Sequence, residues 1–376
     1  MIRPWMAYGG VLALGLGLSW VRYTSDEKVT DKEGVVLADE RRDDLSKIEY
    51  TSADLDVVVE LRKDALGSYA WVTVSDHKQK KGKEGEPPPP VETKVTSFKA
   101  GSAGDKLLDG VAPLVALREL VGLDTTKLDT YGLKEPASSL AVTAGGRTAT
   151  LELGGETYGT KDLYAKHRES SRYYVVDDEL IKPLKFAGTR LPERNLFASK
   201  VEELDRVALS QGGKVVAWTQ HNKDDRNADW WERLATPGTD EVGKKDETFA
   251  NWLEKALKLK SQAYVQKDEV PEAAESVFEI TFSVQGKPDE TLRVSKTADA
   301  WYGQGDFTRG LVKLTKSTVE DAAGEVDDIL EGREPPPDAT PAPAADDGPP
   351  RPPLSPPGMP GRPGLPIPAA KPPATP

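Results

Sequence analysis

A chain of 376 residues with net charge −12 and 37% hydrophobic residues has length for two folded domains plus tails. Its acidity argues against nucleic acid as a partner, because phosphates need a concentrated basic face. The lack of cysteine excludes disulfides, thiolate nucleophiles, iron–sulfur clusters and cysteine-based zinc sites, but leaves an oxidising compartment open.

The first 22 residues, MIRPWMAYGGVLALGLGLSWVR, carry no charge between Arg3 and Arg22. As a helix, residues 5–21 extend about 26 Å, close to the roughly 30 Å hydrocarbon core of a bilayer. Leu12, Leu14, Leu16 and Leu18 supply the apolar body, and Trp5 and Trp20 bracket it as interfacial aromatics do. A cleavable signal peptide competes, with Gly17-Leu-Ser19 as a weak small-residue site, and a buried core helix is a third reading. Span length, the Trp bracket and the immediate Arg22 favour an uncleaved transmembrane anchor over 1–22. A very short tail ahead of a large body then favours export of that body.

Residues 23–46 are charged and weakly patterned, as a stalk would be. A first unit is expected over 47–188. DLDVVVELRKD and SYAWVTVSD alternate as half-buried strands, and the tip KQKKGKEGEPPPP leads to a returning strand, VETKVTSFKA. The basic residues of that tip read as a solvated loop. AGDKLLDGVAPLVALRELVG places Leu107, Val111, Leu114 and Leu117 on one face of a helix. SSLAVTA and TATLELGG follow as a hairpin around Gly145-Gly146. DLYAKHR and RYYVVDD supply two more strands, and DELIKPL a short closing helix.

The second unit, 189–330, repeats this grammar. VEELDRVALSQGG, KVVAWTQH and DWWERLATPG are strands, and DETFANWLEKALKLKSQAYV is a helix with Phe249, Trp252, Leu253, Ala256 and Leu259 on one face. SVFEITFSVQGKPDETLRVSK is again a hairpin, followed by two strands and a closing helix over STVEDAAGEVDDIL. The helices start near 105 and 246, and the hairpin glycines fall at 146 and 286, both about 140 residues apart. That offset predicts an internal duplication. Residues 331–376, rich in Pro, Ala and Gly, are expected to be disordered with polyproline II character. The expected fold class is α+β: two similar strand-rich units, each with one main helix and antiparallel sheets.

Chemistry is sparse. His77, His167 and His221 are three isolated histidines, each expected in a solvated loop, and none forms a metal-binding spacing. No nucleophile elbow, phosphate loop or EF-hand pattern occurs. YGQGDFTRG, residues 302–310, reads as a tight turn between strands. The paired carboxylates Asp43-Asp44, Asp177-Asp178, Asp224-Asp225 and Asp327-Asp328 lack any sign of the facing cleft a glycosidase needs, and Asp177-Asp178, which begins a helix, reads first as an N-cap. No catalytic residue, metal ligand or cofactor is assigned. Trp230-Trp231 in an alternating strand sends one indole to the core and the other outward, where it is a candidate partner contact.

Residues 127–184 carry a YGL-x-x-P turn, a strand pair ending in L-x-L-G and an aromatic strand pair. Tyr131, Gly132, Leu133, Pro136, Leu151, Leu153, Gly154, Tyr164 and Tyr174 occupy that pattern. In these motifs the chain resembles a bacterial domain-of-unknown-function family of single-helix membrane-anchored proteins found beside ABC transporter genes, including gliding-motility-type systems. The resemblance implies a single-pass inner-membrane protein whose body lies in the periplasm or cell envelope. It implies ABC permease or auxiliary subunits as partners, and it carries no catalytic residue with it. The leading expectation is a non-catalytic accessory or scaffold subunit of such a complex. An envelope glycan- or lipid-binding module, using a cleft between the two units, is the alternative, and an uncharacterised hydrolase the third reading. Independently of the family, Gly132 is expected at positive φ, Pro136 ends the turn, and Gly154-Gly155 is expected to end its strand.

Overall fold

The computed structural model describes residues 34–78, 92–234, 244–271 and 273–333. The apolar N-terminal run, the Lys/Pro tip and the Pro-rich tail lie outside the described residues. Among the described residues no helix is long and apolar enough to cross a membrane.

The first lobe begins with β1 (Val35–Ala38), β2 (Leu45–Ser52), β3 (Leu55–Asp64), β4 (Gly67–Lys78) and β5 (Glu92–Lys99). Helix α1 (Ser102–Val111) follows, then the short strands β6 (Leu114–Ala116) and β7 (Arg118–Glu119). The lobe continues with β8 (Ser138–Ala144), β9 (Arg147–Glu156), β10 (Leu163–His167) and β11 (Arg172–Val176), and ends in α2 (Asp178–Lys185) and α3 (Ala187–Arg190). The second lobe contains β12 (Arg206–Gln211), β13 (Lys214–His221), β14 (Trp230–Arg233), β15 (Lys244–Lys245) and α4 (Glu247–Leu257). It continues with β16 (Ser261–Tyr264), β17 (Glu275–Ser283), β18 (Glu290–Lys296), β19 (Trp301–Gly305) and β20 (Leu311–Leu314), and closes with α5 (Lys316–Gly324) and α6 (Val326–Glu331).

Each lobe is built on one nine-stranded antiparallel sheet, so the class is α+β and mostly β. The orders are β5-β4-β3-β2-β8-β9-β10-β11-β7 and β15-β14-β13-β12-β17-β18-β19-β20-β16. Strand for strand, the two orders correspond. Alternation explains which face is covered: Val57 lies opposite both Tyr50 and Val74, and all three are buried. Leu107, Leu108 and Val111 of α1 and Leu180, Ile181 and Leu184 of α2 cover that face. Each such side chain contributes about 1.5–3 kcal/mol when fully buried. The opposite face is left open and polar, with ladders such as Lys166 and Arg168 on Glu152 and Arg293 on Glu279.

The second core is more aromatic. Trp218 stacks on Phe249 with ring centroids 3.9 Å apart, and its indole N–H donates to Asp246 Oδ2 at 2.8 Å. Asp246 Oδ1 accepts the Phe249 N–H at 2.8 Å, so one carboxylate both caps α4 and satisfies a buried indole.

Three sequence expectations change. Both main helices are shorter than their apolar patterns. The first stops at Val111 because Pro113 lacks a donor and disfavours helix in the residue before it, so Leu114 is buried in a strand instead. The second stops at Leu257, and Ser261–Tyr264 pairs with β20 as an edge strand, sheet pairing overriding local propensity. Part of the stalk is folded as well: Val35–Ala38 pairs with β6, and Arg42 bridges to Asp105 and Asp109 on α1.

Candidate functional site

The family-pattern residues come together as a structural clamp. Gly132 has φ +65°, and a Cβ there would lie 2.7 Å from the Gly155 nitrogen. The Gly155 N–H donates to Tyr131 O at 2.8 Å, and a Cβ on Gly154 would sit 2.4 Å from that oxygen. The glycine pair therefore does not end the strand as expected; β9 runs through it to Glu156, and the missing side chains admit the Tyr131 turn. The Tyr131 and Tyr164 rings meet edge-on at 4.9 Å. Leu133, Leu151, Leu153 and Tyr174 are buried, while Pro136 follows in the same connection to β8.

The three histidines are not loop residues. His77 lies on β4, His167 ends β10 and His221 ends β13, because the strands run further than their local patterns. Each has a carboxylate at Nε2: Asp56 at 2.9 Å, Glu169 at 3.2 Å and Glu232 at 2.6 Å. His167 Nδ1 also lies 2.9 Å from Ser170 Oγ. That trio closes a hairpin, since Glu169 accepts the Thr150 N–H at 3.1 Å and Ser170 Oγ accepts the Arg172 N–H at 3.4 Å. No cluster of three or more metal-ligating side chains occurs among the described residues.

Trp230 and Trp231 divide as alternation requires. Trp231 is buried edge-on against Phe249, whereas Trp230 is half-buried and stacked on His221 at 4.3 Å. Trp230 lines a shallow groove with Glu202, Arg226, Glu247 and Lys258.

The most concentrated chemistry lies where the lobes meet, at residues the sequence did not single out. The edge strand β5 of the first sheet runs beside β16 of the second. The Ser97 N–H donates to Gln266 Oε1 at 2.8 Å, and Gln266 Nε2 donates back to Ser97 O at 3.4 Å, so an amide side chain replaces a strand partner. Tyr264 packs on both cores, its ring 6.0 Å from Phe98, and burial raises its hydroxyl pKa. Lys99 Nζ lies 3.3 Å from the Phe307 ring centroid and 3.7 Å from Glu193 Oε2. Burial lowers the Lys99 pKa from 10.5 to about 8, against the pull of Glu193. Burial likewise raises the Glu290 carboxyl, although its Oε1 accepts the Ala198 N–H at 2.8 Å.

In front of this junction lies an open cleft of about 660 Å³, lined by Asp64, Asp289, Thr291, Arg293, Asp306 and Arg309 among others. Its polar groups are largely committed to one another. Arg309 forks onto Asp64, Arg293 binds Glu279, and Asp306 Oδ2 accepts the Thr291 N–H at 2.9 Å. No aromatic ring is in its lining among the described residues, so the cleft has the composition of a joint between lobes. The turn 302–310 supplies Arg309, at φ +55°; sequence reading identified the turn but gave no signal that its arginine faces the other lobe.

Residues 105–277 match the domain of unknown function DUF4340, a stretch from the first turn of α1 to the start of β17 that crosses the junction. No curated protein and no solved structure matches the chain. Over residues 105–277 the chain is therefore similar to the domain-of-unknown-function family DUF4340.

Proposed function

We propose that this protein is a non-catalytic, membrane-anchored envelope protein that serves as an accessory or scaffold subunit of an ABC-type transport complex. In this reading residues 1–22 form a single-pass anchor in a bacterial inner membrane, the two lobes lie in the periplasm, and the Pro-rich tail beyond α6 is an unstructured spacer. The observation that carries it is the pairing of two sheets of the same strand order, joined at β5 and β16, each with one helix-covered face and one open polar face. Such surfaces suit extended protein contacts, and their polar groups are engaged with one another. We read the shared strand order as an internal duplication, in keeping with the 140-residue offset in the sequence.

The test is affinity purification of the full chain from gently solubilised native membranes. Recovery of permease and ATPase subunits, lost when residues 47–330 are deleted with the anchor retained, supports the reading. Return of the bait alone overturns it. The alternative of a glycan site in the inter-lobe cleft has no aromatic platform there to favour it. A lipid-binding role is favoured by a different feature, an apolar groove on the first lobe.

A further inference from the structure

Helices α1 and α2 pack against each other, α1 also touching β6, and residues of all three line a groove of about 580 Å³. Leu107, Gly110, Val115, Leu117, Leu180 and Pro183 give it an apolar wall. A Cβ on Gly110 would stand 3.6 Å from Leu180 Cδ1, in ordinary van der Waals contact, so only a side chain larger than alanine would fill the groove there. Lys106, Lys182 and Arg190 also line it, all exposed, and none forms an ion pair among the described residues. Three cations around one apolar groove stand out in a chain of net charge −12. Two acids share the lining: Asp177, whose carboxylate accepts the Glu179 N–H at the start of α2, and Glu179 itself.

Two further observations say what covers this groove. Exposed apolar side chains extend it: Val36 lies opposite Val115 in the β1–β6 pair, and Phe186 stands at the end of α2 with the Arg190 guanidinium 5.3 Å from its ring centroid. Gly34, the first described residue, is itself part of the lining. Only eleven residues lie between Arg22 and Gly34, a reach of at most about 40 Å even when fully extended. If residues 5–21 insert in a bilayer, the groove is held near its surface.

We propose that this groove takes an acyl chain of an anionic membrane phospholipid, with Lys106, Lys182 and Arg190 holding its phosphate. The proposal rests on the anchored reading above and adds a ligand class and a site to it. Apolar walls with a cationic rim match a lipid tail and an acidic headgroup at once, and juxtamembrane cations gain from a negatively charged leaflet.

The test uses the full chain reconstituted into vesicles of equimolar phosphatidylglycerol and phosphatidylcholine, carrying a trace of phosphatidylglycerol with a photoreactive acyl chain. Adducts are mapped by mass spectrometry. The expected result is labelling within residues 102–117 and 178–190, weakened about fivefold for each charge removed by Lys106→Gln and Lys182→Gln. Gly110→Leu, which fills the groove and leaves the charges, should also reduce labelling, with circular dichroism confirming an unchanged fold. Flotation separates the two ways of failing. A chain that floats with the vesicles but is labelled only within 1–22 overturns the groove and leaves the anchor standing. A chain that does not float overturns both. Equal labelling by a photoreactive phosphatidylcholine overturns the assignment of an anionic headgroup.

Discussion

Arg309 of the second lobe grips Asp64 of the first through two hydrogen bonds, Nε to Oδ2 at 2.6 Å and Nη2 to Oδ1 at 2.9 Å. Its guanidinium also lies 4.0 Å from the Tyr69 ring centroid. The residues are 245 positions apart, and the fork-on-carboxylate geometry ties the lobes at a defined angle. Asp64 is partly exposed, so solvent screens the pair, and a double-mutant cycle between Arg309→Ala and Asp64→Ala should give a coupling of about 1 kcal/mol in urea denaturation. The Arg309 hydrogen bond holds the Asp64 carboxyl below its usual range. Its stabilisation is therefore complete above the unfolded pKa of about 4 and is lost as pH falls through the lower folded value. The wild-type protein should lose this increment in acid while Asp64→Ala does not; parallel acid profiles would contradict it.

Lys99 should make stability rise in alkali. Burial brings its folded pKa to about 8, below the unfolded value of 10.5, so between these the unfolded chain binds the extra proton. Unfolding free energy should climb by about 1–2 kcal/mol from pH 7.5 to pH 9.5 in the wild type relative to Lys99→Met. Guanidinium melts at stepped pH provide the check, and matching slopes for the two proteins would refute the buried-ammonium account. Above pH 10 the raised pKa of Tyr264 works in the opposite direction, because the unfolded chain then ionises first.

The Tyr131 clamp predicts a graded set of glycine effects. Gly132→Val must adopt positive φ and push its Cβ against the Gly155 backbone, while Gly154→Ala meets Tyr131 O at 2.4 Å. Each should cost about 2–4 kcal/mol. Gly146 also has positive φ, +76°, but open space around it, so Gly146→Ala should cost only about 1 kcal/mol. Thermal unfolding of the three variants tests the order, and a Gly132→Val protein as stable as Gly146→Ala would remove the clamp.

Trp230 and Trp231 should separate contact from core. Trp231→Ala removes a buried indole packed on Phe249 and should destabilise by about 3–5 kcal/mol. Trp230→Ala loses a half-exposed stack on His221 and should cost about 1 kcal/mol or less. If Trp230 is a partner contact, its alanine variant keeps its melting temperature yet recovers fewer partner subunits from solubilised membranes. Undiminished recovery would confine Trp230 to a packing role.

Strands such as β3, β8, β9 and β17 are legible in the sequence because one face is buried and one is wet, which imprints a period of two. Hairpin glycines at 145–146 and 286 are legible because their positive φ excludes most side chains. The shortened helices were not, since Leu114 and Leu117 continue an apolar helical period across Pro113, and only pairing with β1 shows that the chain has become a strand. The histidines are illegible for a similar reason: His77 looks like the start of a polar loop, but β4 continues through it because β5 lies alongside.

Local chemistry along the chain thus determined the strands, the first turns of the helices, the split of Trp230 from Trp231 and the repeat of one grammar at an offset of about 140 residues. Tertiary structure alone decided the junction. Gln266 opposite Ser97, Lys99 against Phe307 and Glu193, and Arg309 on Asp64 join residues roughly 90 to 250 positions apart. No local periodicity encodes such partners. Whether a lysine is buried and its pKa lowered, or an edge strand capped, depends on which distant surface arrives there, and that is fixed only when two sheets close on one another.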